Sequence, residues 1–342
     1  MKIVFMGTPD FAEESLKAIY EAKHEILAVV TNPDRPSGRG MKLNASPVKK
    51  YAEEVGLPIY QPQKVRGNTE FIEQIKELKP EVICVVAYGK ILPKEILEIP
   101  EKGCINVHGS LLPQYRGAAP IQWSVINGDK KTGITTMYMD IGMDTGDMIL
   151  KEELEIGEDE TTGEVWEKLS KIGGRLLVAT LQEIEKGTAP REKQGEDFTI
   201  APMLTKEDAK IDWENMTAVQ IKNLVRGLNP IMGAYTYLQN KKIKIWKVQA
   251  IEENELEKMQ SVENKLEKMQ NAENVEQKLI NQAQAGQVII SDAKQGLYIK
   301  AKEGIVKVIE IQGENSKKMN VGDYLRGNKI EVGEKMQKTV EK

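Results

Sequence analysis

CINVHGSLLPQYRGAAPIQWSVINGDKKTGITTMYMDIGMDTGD, residues 104–147, is the stretch on which the fold of this chain turns. Its opening CINVHG (104–109) has the alternation of a strand, so Asn106 and His108 leave one face while Val107 leaves the other. Gly109 and Ser110 end that strand at a carboxyl edge, where open α/β sheets place their ligands. ITTMYMD (134–140) and DMILKEELEI (147–156) predict two further strands, antiparallel to the rest. Upstream, KIVFM (2–6), EILAVV (25–30) and EVICVVAYG (81–89) are short apolar runs. They alternate with amphipathic stretches at 11–22, 46–56 and 68–78, with Asp10 and Glu13 as a capping pair for the first and Ser46–Pro47 opening the second. Strand and helix in alternation predict a doubly wound, Rossmann-like α/β domain over residues 1–187, closed by a long helix at 161–186.

An amide beside an imidazole is a poor choice for a core and a good one for a developing oxyanion, since both groups donate. A carboxylate nearby would orient the imidazole and stabilise its charged form, and MDIGMDTGD offers Asp140, Asp144 and Asp147. Spacing alone does not choose among the three. A satisfied, buried polar pair is the plainer reading of Asn106 and His108. With His24 and His108 the only histidines, imidazole chemistry has two possible seats, and a His-rich metal site is excluded. Cys104 alternates onto the Asn106 face and reads as a packing residue.

Residues 188–205 hold Pro and Gly breaks with mixed charge and read as a linker. Beyond it, 206–227 reads as helix. Five short strands follow, at 235–239, 242–249, 287–291, 297–301 and 305–313, which predict a small β-barrel domain of oligonucleotide-binding type over 206–330. An insert at about 253–284 interrupts it, with ENELEKMQSV and ENKLEKMQNA in tandem and an apolar stripe that predicts a helical arm in a surface loop. Charge divides unevenly: 206–250 holds 8 bases and 4 acids, 285–330 holds 8 and 5, and 251–284 holds 4 and 8. A basic second domain is a footprint suited to a phosphate backbone, within a chain of net charge −4. Two cysteines outside any Cys-x-x-Cys suit a reducing compartment, and no apolar run is long enough for a membrane span. The expectation is a cytoplasmic monomer with no membrane attachment.

Asn-x-His-x-Ser-Leu-Leu-Pro, then Arg116–Gly117, then Met-Asp-x-Gly-x-Asp-Thr-Gly, resembles the folate-dependent formyltransferases. GTPDF (7–11), TNPDRPSGRG (31–40), VVAYGKILP (85–93) and RGLNPIMGAY (226–235) extend the likeness from residue 1 to about 330, apart from the insert. The resemblance implies a Rossmann-like formyltransferase domain joined to a barrel of the oligonucleotide-binding type. It implies an enzyme that passes a formyl group from 10-formyltetrahydrofolate to the α-amino group of methionyl initiator tRNA, without a metal. It selects Asp144 among the aspartates, making Asn106, His108 and Asp144 the catalytic trio. Ser110, Leu111, Leu112 and Pro113 would line the folate site, with Tyr88, Ile91 and Leu92 as further walls. In the basic loop 31–50, Arg35, Arg39 and Lys42 would meet the tRNA. A formyltransferase for a nucleotide-linked amino sugar, a formyl-folate hydrolase and a non-catalytic RNA-binding relic are the rivals. The basic loop and basic second domain favour the tRNA substrate.

Overall fold

In a computed structural model, residues 1–37, 42–253 and 282–337 are described. Arg39 and most of the insert, 254–281, lie outside them. The chain divides into two compact units. The first comprises 1–121, 130–157 and 164–203; the second comprises 122–129, 158–163 and 204–342. Residues 188–203, expected as linker, therefore pack with the first unit.

The first unit is built on seven strands. Five are parallel: β1 (Lys2–Gly7), β2 (Glu25–Val30), β5 (Ile59–Tyr60), β6 (Val82–Val86) and β7 (Cys104–His108). The hairpin β3 (Arg35–Ser37) and β4 (Lys42–Asn44) stands apart from them. That pairing gives the basic loop 31–50 a two-stranded stem, Arg35 opposite Asn44 and Pro36 opposite Leu43. The crossover helices are α1 (Asp10–Glu21), α2 (Pro47–Glu54), α3 (Thr69–Glu77) and the short α4 (Lys94–Leu97). Ser46 caps α2 by accepting from Lys49 N, and Asn68 caps α3 from Phe71 N. Asp10 is instead the first residue of α1, which has no side-chain cap.

After the two-residue β8 (Arg116–Gly117) and α5 (Pro120–Ile126), β9 (Lys131–Tyr138) lies antiparallel to β7. β10 (Met148–Glu155) lies antiparallel to β9 and so runs with the parallel set, unlike the expectation for it. The sheet order is β10-β9-β7-β6-β1-β2-β5, followed in the chain by α6 (Thr162–Lys186) and β11 (Ile200–Ala201). Val4, Met6, Ala28, Val30, Ile83 and Val85 pack against α3 residues Phe71, Ile72 and Ile75 in one apolar cluster, which also takes in Tyr88, Leu92 and Cys104.

In the second unit the expected helix 206–227 is broken. Glu207–Ala209 form a single 3-10 turn, Ile211 N then donates to Tyr235 O in a short extended segment, and a turn at 213–215 follows, with Ile211 and Trp213 both buried. The helix α7 (Ala218–Gly227) begins only at the Thr217–Gln220 capping box. β12 (Ala234–Leu238), β13 (Lys241–Ile251), β14 (Val288–Asp292), β15 (Gly296–Lys300), β16 (Ile305–Gln312) and β17 (Met319–Asn320) form one antiparallel sheet, and α8 (Val321–Gly327) follows. Its order is β12-β13-β16-β15-β14, with β17 beside β16. No helix among the described residues is long and apolar enough to cross a membrane.

Candidate active site

β7 presents Cys104, Asn106 and His108 on one face by strand alternation, and its register is fixed by pairing of Asn106 with Val85 and Met137 and of His108 with Thr135. Cys104 is buried against the carbonyls of Ile96 and Leu97, and burial pushes its thiol up to about 12, which suits packing and not nucleophilic attack. Asn106 is half-buried, and its amide meets no partner among the described residues. Here is a donor free for an incoming oxygen.

His108 is 5% exposed. Its Nε2 lies 2.9 Å from Tyr115 O; a carbonyl only accepts, so Nε2–H donates there. Nδ1 therefore carries the exchangeable position, and it faces Asp144 Oδ1 at 3.7 Å. That separation exceeds a hydrogen bond, as is common for catalytic pairs before substrate binds. Where the sequence suggested that His108 donates to the oxyanion alongside Asn106, its Nε2 is engaged by the Tyr115 carbonyl and its Nδ1 faces Asp144, which leaves Asn106 as the open donor.

Asp144 reaches this place by a folded loop. Met139 N donates to Cys104 O, at the amino end of β7, and the loop then returns toward His108. Asp144 adopts φ +54°, a left-handed conformation that Asp tolerates better than most residues. Gly146 permits the turn, because a Cβ there would lie 1.8 Å from Tyr138 O. Asp144 Oδ2 accepts from Gly117 N at 2.9 Å. Asp140 bonds its neighbour's amide and Asp147 lies 3.8 Å from Arg191, so of the three aspartates only Asp144 is paired with an imidazole.

The 110–114 loop is stitched to β9. Thr135 Oγ1 donates to Ser110 O and accepts from Leu112 N, while Ser110 Oγ donates to Gln114 O. Ser110 and Leu112 are buried, the latter against Met137 and Met148, so their side chains serve the loop itself. Leu111 and Pro113 are half-buried. Tyr88 and Leu92 are buried in the core cluster, Tyr88 with an unpartnered hydroxyl, whereas Ile91 is 78% exposed. Ile141 and Met143, flanking Asp144, are exposed at 75% and 65%.

The structure brings Asn106, His108 and Asp144 into one neighbourhood. It sets Arg35 on the exposed hairpin, with Lys42 opposite Ser37 in register. Asp34 and Lys49 of the same basic stretch pair at 2.7 Å, and that ammonium holds the Asp34 carboxyl below its usual range. Sequence reasoning missed Thr135 and Gln194 as site residues. Both bond across long chain separations, and no local pattern marks them.

The formyl transferase model matches residues 1–181, and the formyl transferase C-terminal domain model matches 203–329. A methionyl-tRNA formyltransferase of Clostridioides difficile is 48% identical over 97% of this chain and 99% of its own. That of Caldanaerobacter subterraneus subsp. tengcongensis is 46% identical over the same shares. Among solved structures, an N-formyltransferase from Helicobacter canadensis shares the fold at TM-score 0.61 and 17% identity, over 90% of this chain and 99% of that one. HypX from Aquifex aeolicus, in complex with tetrahydrofolic acid, matches at TM-score 0.61 and 14% identity, over 97% of this chain and 50% of that one.

Proposed function

The chain belongs to the formyl transferase family, and from that membership we propose how its own residues carry the reaction. The activity is transfer of a formyl group to the α-amino group of methionine charged on initiator tRNA, a one-carbon transferase step in translation initiation. The donor is a formyl-folate, which we take to be 10-formyltetrahydrofolate.

The observation that carries the reading is the unpartnered Asn106 amide beside a His108–Asp144 pair. Asn106 Nδ2 donates to the carbonyl oxygen of the formyl group as the amine attacks and that oxygen gains charge; one such donor is typically worth about 10² to 10³ in rate. His108 Nδ1 and Asp144 relay the proton lost by the attacking amine toward N10 of the folate, which leaves with it. The residues fit a flat, partly apolar donor: Leu111 and Pro113 are half-buried beside the trio, and Ile91, Ile141 and Met143 are apolar and exposed. Tyr88, Leu92, Ser110 and Leu112 would act from behind, by shaping the walls.

The tRNA falls to the basic loop holding Arg35, Arg39 and Lys42, and to the second unit. A barrel of oligonucleotide-binding type is supported there by residues 333–337, which bond both outer strands of the sheet. Gln337 exchanges two backbone bonds with Tyr237 of β12, while Gly333 N donates to Val288 O of β14 and Val288 N to Glu334 O. On this reading 1–187 binds folate and catalyses, and 206–330 binds tRNA. The chain acts as a monomer in the cytoplasm, where tRNA is charged, and its two cysteines stand as buried thiols. The test is transfer of labelled formyl from the folate to charged initiator tRNA, with nucleotide-linked amino sugars and water as competing acceptors. Preference for an amino sugar, or net hydrolysis, overturns the assignment.

A further inference from the structure

Gln194 lies in PREKQGEDFT (190–199), a stretch without periodicity. Its Nε2 donates to Asp144 O at 2.8 Å and to Gly146 O at 2.9 Å, and its Oε1 accepts from Arg116 Nε at 2.8 Å. The two carbonyls only accept and the guanidinium only donates, so the amide has one satisfied orientation. Arg116 is itself buried and stacked on Phe198, its guanidinium carbon 4.4 Å from the ring centre.

The neighbours of Gln194 act on the same two loops. Glu192 exchanges two backbone bonds with Met148, and the Arg191 guanidinium lies 3.6 Å over the Tyr138 ring, so the base of the Asp144 loop is pinned. Thr199 Oγ1 accepts from Tyr115 N, and Thr199 O accepts from Arg116 N. Tyr115 O is the acceptor for His108 Nε2, and Gly117 N is the donor to Asp144 Oδ2. Residues 191–199 thus hold both partners of the proton-handling pair without supplying either.

We propose that Gln194 is a positioning residue for the transfer: it fixes the left-handed backbone of Asp144 so that the carboxylate faces His108 Nδ1. This rests on the reading of His108 and Asp144 given above. Gln194 touches no reacting atom, so its loss should act on kcat and not on substrate binding.

Two substitutions test it in the full-length chain. Gln194→Leu removes the amide, and Gln194→Glu keeps an acceptor for Arg116 but turns carboxylate oxygen toward two carbonyls. The two neutral hydrogen bonds to the Asp144 loop, lost in both variants and of ordinary net worth, make the expected fall in kcat about 30-fold. KM for folate and for charged tRNA should stay within about twofold, since neither ground state is touched. In an Asp144→Asn background, measured by single-turnover transfer, Gln194→Leu should cost less than about threefold more, because the group it places is already disabled. A kcat within threefold of wild type in both single variants overturns the proposal. So does a full 30-fold loss repeated in the Asp144→Asn background, the mark of general destabilisation. Wild-type chain that transfers no formyl to charged tRNA overturns the underlying reading; wild-type transfer with indifferent Gln194 variants overturns this proposal alone.

Discussion

The loops around β7 and the sheet of the second unit use polar side chains in opposite ways. Around β7, His108, Asp144, Gly117, Tyr115, Arg116 and Gln194 form one connected set in which almost every group has a second attachment. On the second unit's sheet, lysines are spread over aromatic rings on the surface: Lys244 and Lys318 at 5.3 and 5.6 Å from the Trp246 ring, Lys242 at 3.5 Å over Tyr235, Lys307 at 5.2 Å over Tyr298. Chemistry depends on a few atoms held in place, whereas a phosphate backbone is met by charge spread over a surface. Single substitutions should therefore be severe in the first region and mild in the second.

The sharpest test is His108→Ala, with Asp144→Asn beside it. Each should lower kcat on the order of 10³-fold with the fold intact by circular dichroism, because proton handling is lost while the sheet keeps its pairing. Near wild-type turnover in either would break the comparison at its strong end. Asn106→Ala comes next, with kcat down about 10²-fold and KM for the folate little changed, the pattern of a donor used only as charge develops. Equal losses in kcat and binding would place the amide on the ground-state donor.

In the basic regions the effects should be on KM. Arg39→Ala should raise KM for charged tRNA on the order of tenfold while leaving folate binding unchanged, in keeping with guanidinium binding to unpaired nucleotides. A collapse of folate binding instead would put the loop on the other substrate. Lys244→Ala with Lys318→Ala should cost less, a few-fold in KM, and lower the slope of log affinity against log salt by about one for each phosphate the chain no longer neutralises. A large kcat effect there would erase the contrast between the units. The smallest effect is expected from the insert: a short Gly-Ser link in place of 253–284 should leave formylation unchanged, since its 4 bases and 8 acids over 251–284 suit no phosphate. A tenfold fall in activity toward tRNA would show that it meets the substrate.

The strands were readable because each is a short apolar run, and β1, β2 and β7 fall within a residue of their expected bounds. Alternation alone placed Asn106 and His108 on one face of a strand, and their reading as a site came with the resemblance. Asp144 was not: three aspartates share one Gly-punctuated turn, and only its backbone path separates them. The helix expected at 206–227 overran because Ile211 and Trp213 satisfy a loose apolar count, while their burial comes from pairing with β12. Gln194 and Arg116 are separated by 78 residues, and no local period records a partner at that distance. A single amide in a charged linker looks like any solvated side chain until the fold closes around it.

The bonds that residues 333–337 make to both outer strands of the second unit's sheet also set a timetable for its folding. Ile211 N already bonds Tyr235 O on the outer edge of β12, but Thr236 Oγ1 donates to Gln337 O across 101 positions, so the Tyr237 end of that edge has no partner until the later segment exists. At about 5 to 20 residues per second, synthesis leaves that edge open for roughly 5 to 20 s. An unpaired strand is a template for other chains during that interval. The insert lies within this span and makes up nearly a third of the delay, yet its entropic cost to that loop is only about 0.3 kcal/mol, because closure depends on the logarithm of length. The second unit can thus carry extra chain at little expense in stability, and bears it instead as time spent exposed.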